Sequence, residues 1–105
     1  LAICRGRTRK GLSELTVSEL LVPPTLPGVA AGHRLLREAR RNVDADWMTA
    51  VAARGTPEAK ALLPSGFVPL ALVGPHLTSR TLGAAEPSPL SWKNWRCSLG
   101  DLELF

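Results

Sequence analysis

The stretch "VAAGHRLLREARRNVDADWMTAVAARG", residues 29–55, contains the strongest periodic pattern in the chain. Apolar residues recur in it every three or four positions, which is the spacing of an amphipathic helix. They are Leu36, Ala39, Val43, Trp47 and Val51. The pattern predicts one helix over about 30–53, and Gly55 suits its C-terminal end. The alternative is a break at Asp44, which would cap a second helix over 45–53.

The flanking segments predict further short helices. "TPEAKALLP" predicts a helix over about 57–63, because it supplies a capping Thr, a Pro at the first helical position and an acid in the first turn. Upstream, "LSELTVSELL" predicts a short helix over about 13–21, with Thr16 and Glu19 at the spacing of a capping box, or Ser13 as an earlier cap. The intervening "VPPTLPG" is expected to be extended, because its prolines donate no backbone hydrogen bonds.

These elements predict a mainly α fold. It would be a small helical hairpin of 30–53 and 57–63 with a short N-terminal helix, extended Pro-rich connections and an irregular C-terminal segment. A length of 105 residues indicates one domain. Residues 1–11 are expected to form a basic flexible arm and 12–105 a single small domain, in which 83–105 is a candidate docking tail.

The charge balance favours anionic partners. Thirteen Lys and Arg against nine Asp and Glu give a net charge of +4, which by itself does not choose among RNA, DNA, lipid and acidic protein. Most of the basic residues are Arg, whose guanidinium suits phosphate and carboxylate. Codon bias is the plainer explanation of the Arg excess.

Two clusters are candidate nucleic-acid or anion-binding sites. The first is the arm "RGRTRK", which is interpreted as a polycation that follows a phosphate backbone, or alternatively as a solvated tail, a presequence remnant or a membrane contact. The second is one face of the predicted helix, with a solvated face or a contact to acidic protein as alternatives. Their residues are Arg5, Arg7, Arg9 and Lys10 in the arm, and Arg34, Arg37 and Arg41 on the helix.

The C-terminal segment contains the candidate partner-docking residues. Trp92 and Trp95 lie one helical turn apart and Phe105 ends the sequence. Tryptophan is a preferred anchor at protein interfaces. Stacking on nucleic-acid bases is the alternative, since Lys and Arg alternate with the two tryptophans.

No enzyme or metal motif is complete in this sequence. Gly6 and Gly11 have the spacing of a phosphate loop, but Leu12 stands where that loop requires Lys. Asp44 and Asp46 are interpreted as helix-terminal or solvated charges rather than a catalytic pair. A zinc site from Cys4, Cys97, His33 and His76 would draw its ligands from the whole chain, unlike small structural sites. No cofactor or metal is therefore expected.

The cysteines and the hydropathy pattern add two expectations. Free thiols are expected rather than a Cys4–Cys97 disulfide, because nothing indicates a secretory context. No apolar run is long enough to span a bilayer. An intracellular location is favoured, including an organellar one after removal of a presequence, which the initial Leu1 would fit.

These observations favour a non-enzymatic interaction protein. We expect a small basic structural subunit of a larger protein or ribonucleoprotein assembly, with RNA as a candidate partner. Two alternatives remain at this point: a stand-alone nucleic-acid-binding or regulatory domain, and a small enzyme or an excerpt of a larger one.

Overall fold

The fold combines a three-stranded mixed sheet with two helices. The computed structural model describes residues 1–70, 88, 91 and 97–99. Along the chain the elements are β1 (Ala2–Arg9), β2 (Leu12–Leu20), α1 (Leu26–Asn42), β3 (Trp47–Ala50), α2 (Pro57–Leu62) and a 3-10 turn (Leu63–Ser65). In the sheet the order is β1-β2-β3, with β1 antiparallel and β3 parallel to the central β2. The architecture is therefore α+β, and the prediction of a mainly α fold is wrong.

The N-terminal third of the chain is a β-hairpin. Lys10 and Gly11 both have positive φ, 52° and 80°, as a tight two-residue turn between twisted strands requires. The turn folds residues 12–20 back onto 2–9, and eight residue pairs form between the strands. Residues 2–9, expected in a flexible arm, are thus part of the sheet.

The helix predicted over 13–21 does not form, and β2 occupies that segment. Thr16 and Val17 at its centre are β-branched and suit a strand. Every residue from Glu14 to Ser18 is buried, on both faces of the strand, and β2 pairs with a strand on each side. The capping-box spacing of Thr16 and Glu19 is outweighed by this ladder, since a short isolated helix is marginal.

Helix α1 begins earlier and ends much earlier than predicted. Thr25 caps it, accepting a hydrogen bond from the Gly28 amide at 3.1 Å. The helix ends at Asn42, whose side chain donates to the Glu38 carbonyl at 2.8 Å. Residues 30–53 are therefore not one helix, and the alternative helix over 45–53 does not form either, because Trp47–Ala50 is strand β3.

Strand β3 is held to β2 at its start by Asp46. The Asp46 amide donates to the Ser13 carbonyl at 2.9 Å, and the Asp46 carboxylate accepts from the Ser13 amide at 2.7 Å. The short loop after α1 thus ends in a two-point attachment to the sheet. A βαβ crossover results, in which α1 connects two parallel neighbours.

Helix α2 forms where the sequence predicted it, over Pro57–Leu62. The Thr56 hydroxyl accepts from the Ala59 amide at 3.3 Å, and Pro57 occupies the first turn. This helix packs on α1 where Gly32 comes close to Ala61: a Cβ on Gly32 would lie 3.1 Å from the Ala61 Cβ. The two helices touch as the predicted hairpin required, but strand β3 separates them in the chain.

The core lies between the helices and one face of the sheet. Its buried residues are Val17, Leu20, Val22, Leu36, Ala61 and Leu62. Cys4, Met48 and Ala50 pack against it from the strands. In the described part of the chain no helix lies on the opposite face of the sheet, yet Thr16 and Glu14 at the centre of that face are only 1% and 5% exposed.

Several predictions concern residues beyond those described. Most of the tail 83–105 lies outside the described residues, including Trp92, Trp95 and Phe105, and the division into an arm, a domain and a docking tail stays a prediction.

Cys4 and Cys97 are free thiols, and burial raises the pKa of the Cys4 thiol. Among the described residues, no helix has the length and apolar character needed to cross a membrane.

Candidate nucleic-acid interface

Three arginines of β1 lie on the same face of the sheet. Side chains alternate between the two faces along a strand, and Cys4 faces the core. Arg5, which follows Cys4, therefore points away from the helices, and so do the alternate residues Arg7 and Arg9. These three, Arg5, Arg7 and Arg9, are called the arginine row, and all are exposed. Neighbours in the row are about 7 Å apart along the strand.

The arginine row belongs to a larger surface, called the open face. It is the face of the sheet opposite α1 and α2. Besides the arginine row on β1, this face contains the β2 residues that pair with the row and the β3 residues that pair in turn with those of β2. Its members are Arg5, Arg7, Arg9, Leu12, Glu14, Thr16, Trp47 and Thr49.

Glu14 links the three strands at the centre of the open face. Its carboxylate accepts from the Arg7 Nε at 2.9 Å and from the Arg7 Nη2 at 3.3 Å. The Thr49 hydroxyl donates to the same carboxylate at 2.7 Å. Glu14 is 5% exposed while Arg7 is 46% exposed, so the carboxylate is buried under a guanidinium that still reaches solvent.

The contacts of Glu14 keep it ionised. Hydrogen bonds from Arg7 and then from Thr49 lower the pKa of Glu14 from 4.5 to about 2, against the opposing effect of burial. The charge of Arg7 and the nearby indole of Trp47 lower it further. At neutral pH the Glu14–Arg7 pair is fully charged, which orients the Arg7 guanidinium at the surface.

Trp47 flanks this pair on the far strand. It pairs with Glu14 in the parallel ladder and is 36% exposed. The apolar pattern placed Trp47 on a helix face, so its position on the sheet was missed. Leu12, directly opposite Arg9 in the hairpin, adds an apolar side chain that is 46% exposed.

The second predicted cluster lies on α1. Arg34, Arg37 and Arg41 are exposed on this helix. Glu38 pairs with Arg41 at 3.1 Å, and both side chains are more than half exposed. An exposed pair of this kind contributes little stability.

The structure does not bring the two basic clusters together. Helix α1 packs on the core face of the sheet through Leu36, whereas the arginine row points from the other face. The chain therefore presents two separate cationic surfaces. Lys10 lies in the hairpin turn, adjacent in sequence to the end of the row.

Other features of the described residues are less suited to chemistry. A cleft of about 440 Å³ is lined mainly by apolar side chains of the strands and α2, with Glu19, Glu58, Cys97 and Ser98 at its walls. Two of these polar groups already bond to protein partners: Glu19 accepts from the Ser98 hydroxyl at 2.8 Å, and Glu58 accepts from the Val22 amide at 3.2 Å. Over residues 1–70 and the few described beyond, no three His, Cys, Asp or Glu side chains cluster as a metal site would require.

The alternation of the arginine row was available in the sequence. "RGRTR" places a charge at every second residue, the period of a strand, and "KG" follows as a two-residue hairpin turn.

Comparisons with known proteins give no further information on function: no protein-family model matches the chain, and no curated protein or solved structure is detectably similar to it. Function must therefore be argued from the residues themselves.

Proposed function

We propose that this protein is a small, basic, non-enzymatic subunit of a ribonucleoprotein assembly and that it binds RNA through the open face. One observation carries the proposal: Arg5, Arg7 and Arg9 form an exposed row on one face of a paired strand. Their spacing of about 7 Å resembles that of consecutive phosphates in an extended nucleic-acid strand. A strand holds its side chains at fixed intervals, so less ordering is required on binding than for a flexible arm.

The charge pattern supports an anionic partner. The row adds positive charge to a chain whose net charge is +4, and a net positive charge favours anionic partners. Guanidinium groups bind phosphate in a bidentate manner, as Arg7 already binds the Glu14 carboxylate. Protection of an edge strand against aggregation also uses charge, but that purpose does not require every charge to lie on the same face.

A second candidate is a stand-alone nucleic-acid-binding domain. The observation that favours it is the closed core, in which Leu36 is 1% and Ala61 0% exposed. The two candidates differ in whether the chain folds without partners. Thermal melting of the purified chain, followed by circular dichroism, separates them. A cooperative melt favours the stand-alone domain, and a weak, non-cooperative helix signal favours the subunit.

The RNA-binding proposal is tested by affinity across a salt series. We expect binding of a short RNA to weaken with salt, with a slope of log K against log salt of about −2 for three phosphate contacts on a single strand. Arg9→Gln is the variant to compare, because it removes a charge without exposing the buried Glu14. It should weaken binding and reduce the slope by about 0.7.

The matched control is Arg37→Gln, which removes the same charge from the opposite side of the molecule. If Arg37→Gln weakens binding and Arg9→Gln does not, the α1 cluster is the RNA contact and the open face is not. If the wild-type chain binds no RNA at low salt, the proposed function is wrong.

A further inference from the structure

We propose that the outward side of α1 is a docking surface for an acidic helix of a partner protein. The surface is called the outer stripe, and all of its residues are exposed. They are Leu26, Ala30, Arg34, Arg37 and Arg41. The inference goes beyond the proposed function, because it concerns a protein partner and the side of the molecule away from the arginine row. It does not depend on RNA binding.

The outer stripe follows from the spacing of its residues along one regular helix. They recur every three or four positions within Leu26–Asn42, so at 3.6 residues per turn they lie within an arc of about 80°. With a rise of 1.5 Å per residue, the stripe is about 22 Å long. A second helix laid along α1 would therefore contact all of these side chains, since helices pack through rows of this spacing.

The core holds α1 from its other side. The buried residues of the helix are Gly28, Gly32 and Leu36. Gly32 allows a close approach, since a Cβ there would lie 2.8 Å from the Val22 Cγ2 and 3.1 Å from the Ala61 Cβ. The exposed side chains of α1 thus stand on a backbone that is already fixed, so binding of a partner orders side chains only.

The outer stripe is apolar where it begins and cationic where it ends. Leu26 is 87% exposed in the first turn, and the three arginines of the stripe follow from the middle of the helix onward. The complementary helix has acidic residues opposite the arginines and an apolar residue opposite Leu26. In an antiparallel orientation its acids lie in its own N-terminal half, where the helix dipole favours negative charge.

Two features of α1 favour a protein over a phosphate backbone. Glu38 lies beside the stripe, and its carboxylate accepts from the Arg41 Nη1 at 3.1 Å. A phosphate on Arg41 would meet this negative charge, whereas a protein helix can place a basic or polar residue opposite it. The exposed side chain of Leu26 is the second feature, because an apolar contact is buried at a protein interface and not by phosphates.

Stabilisation of α1 by its own charges gives a different expectation. Arg40 and Arg41 lie in the last turn, where basic side chains interact favourably with the negative end of the helix dipole. Arg34 and Arg37 come before that turn, and the effect does not extend to them. If the arginines served α1 alone, substitutions at Arg34 and Arg37 would leave the binding of an acidic helix unchanged.

The probe for this surface is a labelled peptide of about 20 residues with blocked termini and an Ala-rich helical sequence. Glu residues form a stripe along its N-terminal half and Leu residues continue that stripe in its C-terminal half. The control peptide has the same composition, with its Glu and Leu distributed around the helix. Binding is measured by fluorescence anisotropy over a salt series. We expect the striped peptide to bind about tenfold more tightly than the control and to weaken with salt.

Arg37→Glu is the decisive variant, because it reverses a charge at the middle of the cationic half. It should weaken binding of the striped peptide about tenfold, and a peptide with Lys in place of the opposing Glu should restore the affinity. The matched control is Arg54→Glu, which reverses an exposed charge outside α1 and should change the affinity less than about twofold. Arg34→Glu replaces Arg37→Glu if circular dichroism shows that the latter does not fold.

Leu26→Ser tests the apolar half of the stripe. It should weaken binding of the striped peptide about tenfold through the loss of a buried apolar contact. The salt dependence of binding should stay the same, because no charge is removed. An unchanged affinity would contradict the assignment of Leu26 to the interface.

The outcomes separate this inference from the proposed function. Equal affinity for the striped and control peptides, or equal effects of Arg37→Glu and Arg54→Glu, overturns the inference. Vesicles containing phosphatidylserine and a short RNA are titrated with the same variants. If Arg37→Glu abolishes binding to either of these while the striped peptide does not bind, the stripe is a lipid or RNA contact and the inference is wrong. RNA binding that depends on Arg9 and not on Arg37 supports the proposed function in every case.

Discussion

Replacing Glu14 by Gln tests whether the buried carboxylate at the centre of the open face stabilises the fold through its charge. Glu14 accepts two hydrogen bonds from Arg7 and one from Thr49. These contacts favour the ionised form and lower the pKa from 4.5 to about 2. Since the pKa is lower in the folded chain than in the unfolded one, Glu14 stabilises the fold fully above about pH 4.5. That contribution is lost as the pH falls through 2.

The magnitude follows from the difference between the two pKa values. At about 1.36 kcal/mol per pH unit, a fall from 4.5 to about 2 corresponds to about 3 kcal/mol. Arg7 is 46% exposed, so solvent screens the pair and the expected contribution is about 1–2 kcal/mol. Glu14→Gln should therefore lower the free energy of unfolding by about 1–2 kcal/mol at pH 7 and by little at pH 2.

The assay is urea denaturation followed by circular dichroism at several pH values between 7 and 2. The informative quantity is the difference between the wild type and Glu14→Gln, because other carboxylates titrate in both chains. Glu38→Gln is the matched control: its ion pair with Arg41 has both partners more than half exposed, and its loss should change stability by at most about 0.5 kcal/mol. A Glu14→Gln difference that stays constant from pH 7 to pH 2 would refute the reasoning.

Three further substitutions test the packing that presents this face. Gly32→Ala should destabilise the fold by about 1–2 kcal/mol despite the helix propensity of Ala, because the new Cβ would lie 2.8 Å from the Val22 Cγ2. Adding Val22→Ala should recover part of this loss in a thermal melt. If the effects of the two substitutions on stability simply add, there is no clash between the two side chains. Gly11→Ala should cost about 1 kcal/mol in urea denaturation, since φ is +80° there; an unchanged midpoint would argue against the two-residue turn. Asp46→Ala should cost about 1 kcal/mol and increase amide exchange at Ser13, whose N–H it accepts at 2.7 Å; unchanged exchange would show that β3 does not depend on this attachment.

The open face could have been predicted only in part. The alternating charges of "RGRTR" and the "KG" turn indicate a hairpin, but "LSELTVSEL" also satisfies a helical capping pattern, so local signals conflict there. Trp47 fitted a helical stripe with Leu36 and Val43. Its place beside Glu14 depends on pairing between residues 33 positions apart in the chain, which no local pattern contains.

By itself, the sequence determined the features that depend on neighbouring residues. Helix α2 follows from Thr56 and Pro57, whose contacts lie within one turn, and the net positive charge follows from composition. The tertiary structure alone decided that the helical pattern ends at Asn42 and continues as β3. It also decided that the arginine row and the α1 cluster lie on opposite sides of the molecule. The physical reason is that a strand adjoining β2 gains its backbone partners and its burial from a distant segment, and those gains outweigh the local preference for helix.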